Sequence, residues 1–173
     1  LLSGFALLVS YLGQMNPQIT PLMPVLVSPW LSIHVSLIMM SYALLAFIML
    51  NGILALCLRK KEPENNVSEN DDRQDNRIEQ LTLVSRLLLY PATFFLGAGI
   101  FLGAVWANVS WGRYWAWDPK EVWALITFLV YGAAFHSQSL RIFRKPLFFH
   151  IYMILAFLTV LMTYFGVNYV LGG

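Results

Sequence analysis

Five tryptophans and two acidic residues are gathered in one short part of the chain. The segment WGRYWAWDPKEVW, which starts at Trp111, holds four of the six tryptophans, and Trp106 lies just upstream. It also holds Asp118 and Glu121, the only acids outside residues 62–79. Tryptophan offers a broad apolar surface for stacking and an indole N–H for hydrogen bonding, which suits a large, flat, apolar ligand. The alternative interpretation is an interfacial belt, because tryptophan favours the headgroup level of a membrane.

The three histidines indicate which ligand this could be. His34 lies at the same end of its apolar run as the tryptophans. His136 follows Asp118 by eighteen residues, which is about 27 Å along a helix, and an ionisable residue at such depth is a functional candidate. Heme iron takes neutral imidazole as an axial ligand, so a flat apolar ligand beside histidines suggests heme. His34 and His136 are too far apart in depth for one iron, so two sites or two stations of one path are implied.

Simpler interpretations of these residues stay open on sequence alone. His34 could be a capped or lipid-edge histidine, and His136 could be a packing residue. His150 is interpreted as an interfacial residue. Asp118, Pro119 and Glu121 form a strong helix start, with an N-cap, a proline at the first helical position and a capping box.

The elements that carry these residues are apolar and long. The chain of 173 residues is 58% hydrophobic and 12% charged, and seven of its nine acids fall within residues 62–79. An average soluble domain carries roughly a quarter charged residues, so this composition predicts an integral membrane protein with one solvated loop. The fold class expected is all-α: a polytopic transmembrane helical protein with four spans and the tail of another.

The predicted organisation is one membrane domain over residues 1–173. A partial span is expected at 1–12, a proline-rich external loop at 13–29 and a cytoplasmic loop at 59–82. The spans are expected at about 30–58, 83–106, 119–140 and 147–171, with an external tryptophan segment at 107–118. The single cysteine, Cys57, is interpreted as buried and inert.

Basic residues set the expected orientation, because Lys and Arg favour cytoplasmic loops. One set of loops contains Arg59, Lys60, Lys61, Arg73, Arg77, Arg141, Arg144 and Lys145, and the other set contains only Arg113 and Lys120. The tryptophan segment is therefore expected on the outer face. Nucleic-acid binding is not expected, because the base-rich cluster is diluted by acids and lacks interleaved aromatics. No nucleophile–histidine pair is indicated by local spacing.

The tryptophan segment resembles the signature of a known family. WGRYWAWDPKEVW followed by ALITFLVYGAAFH resembles the tryptophan-rich WWD domain of the heme-handling proteins of cytochrome c biogenesis, most of all the CcsA/ResC type of system II. Related members of system I share the short core, but typically lack the Asp-Pro-Lys-Glu-Val-Trp run. NPQITPLMPVLVSPWLSIHVSLIMMSYA resembles the segment that leads to the first external histidine of that family, and YFGVNYVLGG resembles its last span. Only residues 62–80 fall outside the resemblance, which suggests a C-terminal fragment of such a protein.

The resemblance implies roles for particular residues. His34 matches the first external axial ligand, and His136 matches a histidine within a span that helps to receive heme from the cytoplasmic side. His150 matches nothing, and a second external histidine is expected beyond Gly173. The residues that match the external heme-presenting platform are Trp111, Gly112, Trp115, Trp117, Asp118, Pro119, Glu121 and Trp123.

The function expected from the resemblance is the export of heme b (iron protoporphyrin IX) and its presentation for covalent attachment to apocytochrome c. The implied partners are a ResB/CcsB-type membrane protein, separate or fused upstream, an apocytochrome c with a Cys-x-x-Cys-His motif, and membrane lipid. The expected location is the bacterial inner membrane, with the tryptophan segment on the periplasmic face. The chain would be part of a cytochrome c synthase complex, without a self-contained catalytic site. The alternatives are a heme-bearing electron-transfer subunit and a structural subunit with a tryptophan belt.

Overall fold

The computed structural model describes residues 29–60, 69–136 and 139–171, and these form helices joined by short connections. The four α-helices are α1, Pro29–Lys60; α2, Glu69–Trp111; α3, Pro119–Ala133; and α4, Pro146–Leu161. Helix α3 ends in a 3-10 turn, Ala134–His136, a second 3-10 turn covers Arg141–Arg144, and α4 continues as a π-helix, Met162–Leu171. The described part contains no strand, and the predicted all-α fold is confirmed.

Three of these helices are long and apolar enough to cross a membrane. They cover Pro29–Arg59, Gln74–Trp111 and Pro146–Tyr169, as judged from the described residues. Large apolar side chains also cover the outside of the bundle: Phe94 is 70% exposed and Phe101 is 68% exposed. Contiguous exposed apolar surface of this kind is unusual for a soluble monomer and is expected where lipid is the solvent. The prediction of a polytopic helical membrane protein is therefore confirmed.

The core lies between all four helices. Leu45 and Ile48 of α1 meet Leu89 of α2, Tyr131 of α3 and Met153 of α4, and each is at most 2% exposed. Small side chains let the backbones approach closely, as expected for membrane helices: a Cβ on Gly52 of α1 would lie 3.2 Å from the carbonyl oxygen of His150 on α4. The four helices therefore pack around one core.

The polar segment before the second span is helical over much of its length. A loop is expected at 59–82, but α2 begins at Glu69. Gln74 Nε2 donates a hydrogen bond to the carbonyl oxygen of Leu58, 2.5 Å away, near the end of α1. This bond satisfies one of the carbonyls that a helix end leaves without an intrahelical partner. It also stabilises the first turns of α2, which the polar composition predicts as a loop.

Helix α3 is shorter than the span expected at 119–140. It ends at Ala133, and its 15 residues measure about 22 Å, against about 30 Å for the hydrocarbon core of a bilayer. The 3-10 turn Ala134–His136 extends it by about 6 Å. The expected partial span at 1–12 and most of the loop at 13–29 lie outside the described residues.

Two interpretations of single residues are wrong. Cys57, expected to be buried, is exposed on α1. His150, expected at the interface, is 1% exposed, and its Nε2 lies 2.9 Å from the hydroxyl oxygen of Thr82 on α2. The reason is helix packing, because the helical start of α4 at Pro146 carries His150 into the contact with α1 and α2.

Candidate functional site

An open cavity of about 330 Å³ lies at the end of the bundle where α2 ends and α3 begins. This volume is at the small end of the range typical of ligand sites. Four elements line it: the start of α1, the end of α2, the tryptophan segment with the start of α3, and the π-helix. Its lining residues include His34, Tyr42, Gly103, Trp106, Trp111, Tyr114, Trp115, Asp118, Lys120, Glu121, Thr163, Tyr164 and Asn168.

A glycine ends α2 and turns the chain toward the cavity. Gly112 has a φ of 73° and donates its backbone N–H to the carbonyl oxygen of Asn108, 2.8 Å away. This left-handed residue after a helix is the αL cap, which glycine adopts without a Cβ penalty. Trp106 and Trp111, on the last turns of α2, meet edge to face with ring centroids 4.9 Å apart. Both indoles thus line the cavity from the α2 side.

The start of α3 is built as the sequence predicts, with one difference. Asp118 is the N-cap, its Oδ1 accepts from the Lys120 N–H at 2.6 Å, and Pro119 opens the helix. Glu121 does not complete a capping box, because its Oε2 accepts from the backbone N–H of Ala116, 2.7 Å away, rather than from that of Asp118. Glu121 therefore fixes the conformation of the tryptophan segment as well as the start of the helix.

The segment between the helices holds its tryptophans in fixed orientations. Trp117 has a φ of 59°, a left-handed conformation that costs an L-residue other than glycine roughly 1–3 kcal/mol. It is 73% exposed, and its ring lies edge to face with Trp115 at a centroid distance of 6.0 Å. The indole Nε1 of Trp115 is buried and has no hydrogen-bond partner among the described residues. A strained residue and a buried unpaired donor side by side are typical of a site that binds a ligand.

His34 faces this cavity with one ring nitrogen already hydrogen-bonded. Its Nδ1 lies 2.7 Å from the carbonyl oxygen of Gly99 on α2. Because a carbonyl oxygen only accepts, Nδ1 must carry the proton, which leaves the lone pair of Nε2 unprotonated in the neutral ring. Metal-binding histidines are commonly oriented in this way, by a backbone carbonyl on the other nitrogen.

A glycine on α2 leaves room for the His34 ring. A Cβ at Gly103 would lie 2.7 Å from His34 Cε1 and 3.0 Å from its Nδ1, closer than packed atoms come. The hydrogen bond to Gly99 and the space above Gly103 together determine where the imidazole lies.

Heme is the ligand that the sequence resemblance implies, and replacing Gly103 by alanine is expected to displace the His34 ring and weaken the binding of that ligand about tenfold, within the range seen when a supporting partner of a metal ligand is lost. The measurement is a heme titration of the membrane-inserted protein followed by absorption. Gly132→Ala is the matched control, since a Cβ there meets nothing within 4 Å, and it should bind as the natural sequence does. Equal affinity for the Gly103 and Gly132 variants would contradict the account of His34.

Several cavity residues were not found by sequence reasoning. The π-helix directs Thr163, Tyr164 and Asn168 to the cavity, together with Tyr42 of α1. Thr163 Oγ1 lies 3.0 Å from the hydroxyl oxygen of Thr127 on α3, so the π-helix and α3 are joined directly beside the cavity. A π-helix often marks a functional site, but nothing in the residue types of YFGVNY predicts one.

The residues suggested as a platform divide into two groups. Trp111, Trp115, Asp118 and Glu121 line the cavity with His34, whereas Gly112, Trp117, Pro119 and Trp123 do not line it. Gly112, Trp117 and Pro119 determine the backbone path of the tryptophan segment. The carbonyl oxygen of Trp123 accepts a hydrogen bond from the Thr127 hydroxyl.

His136 is at the far end of α3. It is exposed, and its Nδ1 lies 3.3 Å from the carbonyl oxygen of Gly132. Its neighbour Phe135 packs against Tyr90 of α2 at a centroid distance of 4.9 Å. Among the described residues, no three His, Cys, Asp or Glu side chains are grouped so that they could hold a metal ion.

Comparison with known proteins gives one consistent result. The protein NrfI of Wolinella succinogenes is 39% identical over 173 residues, which is all of this chain and 19% of that protein. The cytochrome c biogenesis protein CcsA of Chlamydomonas reinhardtii is 40% identical over 153 residues, 87% of this chain and 41% of that protein. CcsA of a Synechococcus species is 36% identical over 170 residues, 86% of this chain and 55% of that protein. The chain thus spans between about a fifth and about half of these relatives.

The family model described as cytochrome C assembly protein matches residues 1–173. With relatives named for cytochrome c biogenesis, this supports a role in that process. The chain belongs to the cytochrome c assembly protein family.

Proposed function

We propose that this chain receives heme within the membrane and presents it at the outer cavity for covalent attachment to apocytochrome c. The observation that carries the proposal is the meeting of His34, Trp111 and Trp115 around one cavity, although His34 and Trp111 are 77 positions apart in sequence. An interfacial belt requires no imidazole among its tryptophans and no cavity. A heme-binding site explains both the imidazole of His34 and the cavity.

The chemistry of the cavity fits heme b as a substrate. Because the His34 Nδ1–H is hydrogen-bonded to Gly99, Nε2 is the atom of His34 that would bind iron. Indole surfaces of Trp106, Trp111 and Trp115 supply the apolar contact that a porphyrin ring needs. When bound, heme supplies vinyl groups, and a cysteine S–H adds across each vinyl double bond to form a thioether.

The protein's part in that reaction is to hold the substrate. The two acids of the cavity each accept a backbone N–H, and we assign neither of them an acid–base role toward a thiol. Positioning of reacting groups is by itself a large source of rate. The tryptophan segment and His34 would fix the heme ring, while the open side of the cavity admits the Cys-x-x-Cys-His segment of the apocytochrome.

His136 is assigned to the receipt of heme rather than to its presentation. It lies at the opposite end of α3 from Asp118, about 28 Å along the helix axis, and its imidazole is exposed. A neighbouring span of a ResB/CcsB-type partner would supply the second ligand there. An ionisable side chain on the surface of a membrane bundle is expected to meet such a partner.

Orientation follows from the basic residues. Lys120 begins α3 beside the cavity, whereas Arg141, Arg144 and Lys145 follow its far end. The excess of bases at the far end favours the cytoplasm, so the cavity faces the periplasm of a bacterial inner membrane. An electron-transfer subunit, the alternative, needs two histidines facing one iron, and among the described residues His34 is the one histidine that lines the cavity.

A double substitution tests the heme-presenting cavity. Trp115→Ala with Trp117→Ala in the full-length natural protein should lower co-purified heme roughly tenfold. Trp115 lines the cavity and Trp117 packs edge to face against it, and each aromatic contact contributes about 0.5–1.5 kcal/mol beyond its buried area. Membrane insertion should be unchanged. Trp30→Ala is the matched control, since Trp30 is 53% exposed at the start of α1 and does not line the cavity. Heme content equal to that of the control would reduce the cluster to an interfacial anchor.

A further inference from the structure

The cavity contains hydrogen-bond donors that an apolar ring and an iron ligand do not use. Lys120 lines it, and no carboxylate of the described residues lies within ion-pairing distance of the Lys120 ammonium group. The buried Nε1–H of Trp115 likewise has no acceptor in the described part of the chain. A buried donor without a partner costs free energy, so an acceptor supplied by a ligand is expected.

The two acids of the cavity are already hydrogen-bonded to the backbone. Asp118 accepts from the Lys120 N–H and Glu121 accepts from the Ala116 N–H. Asp118 is the N-cap of α3 and Glu121 lies in its first turn, where the positive end of the helix dipole stabilises negative charge. Asn168 is also committed, since its side-chain N–H₂ donates to the carbonyl oxygen of Tyr164 at 2.6 Å. Among the donors of the cavity, the Lys120 ammonium is the cation, and the Trp115 indole N–H is buried without a hydrogen-bond partner in the described residues.

Heme carries its two carboxylates on the edge of the ring opposite its two vinyl groups. An ammonium group and an indole N–H are both suited to carboxylate oxygens, and a charge-assisted hydrogen bond is stronger than a neutral one. We propose, on the basis of the proposed function, that Lys120 and Trp115 bind the propionate carboxylates of heme. These contacts then determine which edge of the ring stays free. The vinyl edge is then directed away from Lys120, toward the thiols of the apocytochrome.

The proposal gives Trp115 two separable tasks. Its ring contacts the porphyrin, and its Nε1–H donates to a carboxylate. Trp115→Phe keeps an aromatic ring and removes the donor, and Lys120→Met keeps the length of the side chain and removes the charge. Neither change touches His34, so the iron ligand stays in place.

The test compares heme with heme dimethyl ester, in which both carboxylates are neutral. Full-length natural protein in nanodiscs is titrated with each pigment, and binding is followed by absorption. The natural sequence should favour free-acid heme about tenfold or more, the size expected for hydrogen bonds to charged groups. Lys120→Met should reduce this preference to about twofold or less by weakening free-acid heme alone, Lys120→Arg should retain it, and Trp115→Phe should lower it in part.

Lys145→Met is the control, because Lys145 lies beyond the far end of α3 and should leave the preference unchanged. Equal binding of heme and its diester by the natural sequence, with both dependent on His34, would overturn the carboxylate proposal and leave the proposed function standing. A preference for free-acid heme that is retained in Lys120→Met would also overturn the carboxylate proposal. If neither pigment binds, or if binding does not depend on His34, the proposed function itself fails.

Discussion

Replacing His34 by glycine in the full-length natural protein is expected to lower heme affinity at the outer cavity by at least about 100-fold. Loss of a partner that only orients a metal ligand already lowers metal affinity roughly 10–100-fold, and His34→Gly removes the ligand itself. The described cavity offers no second imidazole that could replace it. The measurement is the heme content of the purified protein, together with the absorption spectrum of what remains.

Imidazole distinguishes loss of the ligand from loss of the fold. In His34→Gly the space left by the ring opens to the cavity beside Gly103, so added imidazole should enter it and restore much of the bound heme. Ser36→Ala serves as the control, since Ser36 is exposed on the same helix and its hydroxyl donates to the carbonyl oxygen of Ser32. A His34→Gly protein with the heme content of this control would show that His34 is a packing residue.

Replacing His136 by glycine is expected to deplete heme at both levels of the membrane, with an effect of about tenfold or more at the outer cavity. His136 lies far from that cavity, at the other end of α3. A loss of heme from the cavity would therefore reflect reduced delivery of heme rather than a lost contact with it. Added imidazole should again restore part of the heme, because a free ligand can occupy the vacated position.

The measurement for His136→Gly is the heme content of cells that express the full complex, compared with heme added directly to the purified variant. Direct addition should fill the outer cavity normally, because His34 and the tryptophan segment are unchanged. Leu140→Ala, at an exposed position near the same end, is the control. Normal heme content in cells without imidazole would show that His136 takes no part in heme delivery.

Residue types and local spacing were sufficient to predict where α3 starts, directly after the tryptophan segment. Asp118 and Pro119 have the N-cap and first-turn roles that their positions indicate, because capping depends on residues within one helical turn. The all-α membrane fold also followed from composition, since long apolar runs separated by charge leave few other folds.

Contacts between distant segments could not be predicted in the same way. The hydrogen bonds of His34 to Gly99 and of His150 to Thr82 join residues 65 and 68 positions apart, and no local pattern in the sequence indicates them. The same holds for Thr163 and Asn168, which reach the cavity because α4 continues as a π-helix. Glu121 does not form the capping box that its spacing allows, because its carboxylate accepts from the Ala116 N–H instead.

The central claim is that one cavity, built by His34 and the tryptophan segment, holds heme. An experimental structure of the full-length natural protein, purified after expression with adequate heme, tests it most directly. The account predicts porphyrin density in the cavity, with the iron on His34 Nε2 and the ring against Trp115. Density for heme elsewhere on this chain with the cavity filled only by lipid or water, or iron bound without His34, would contradict it.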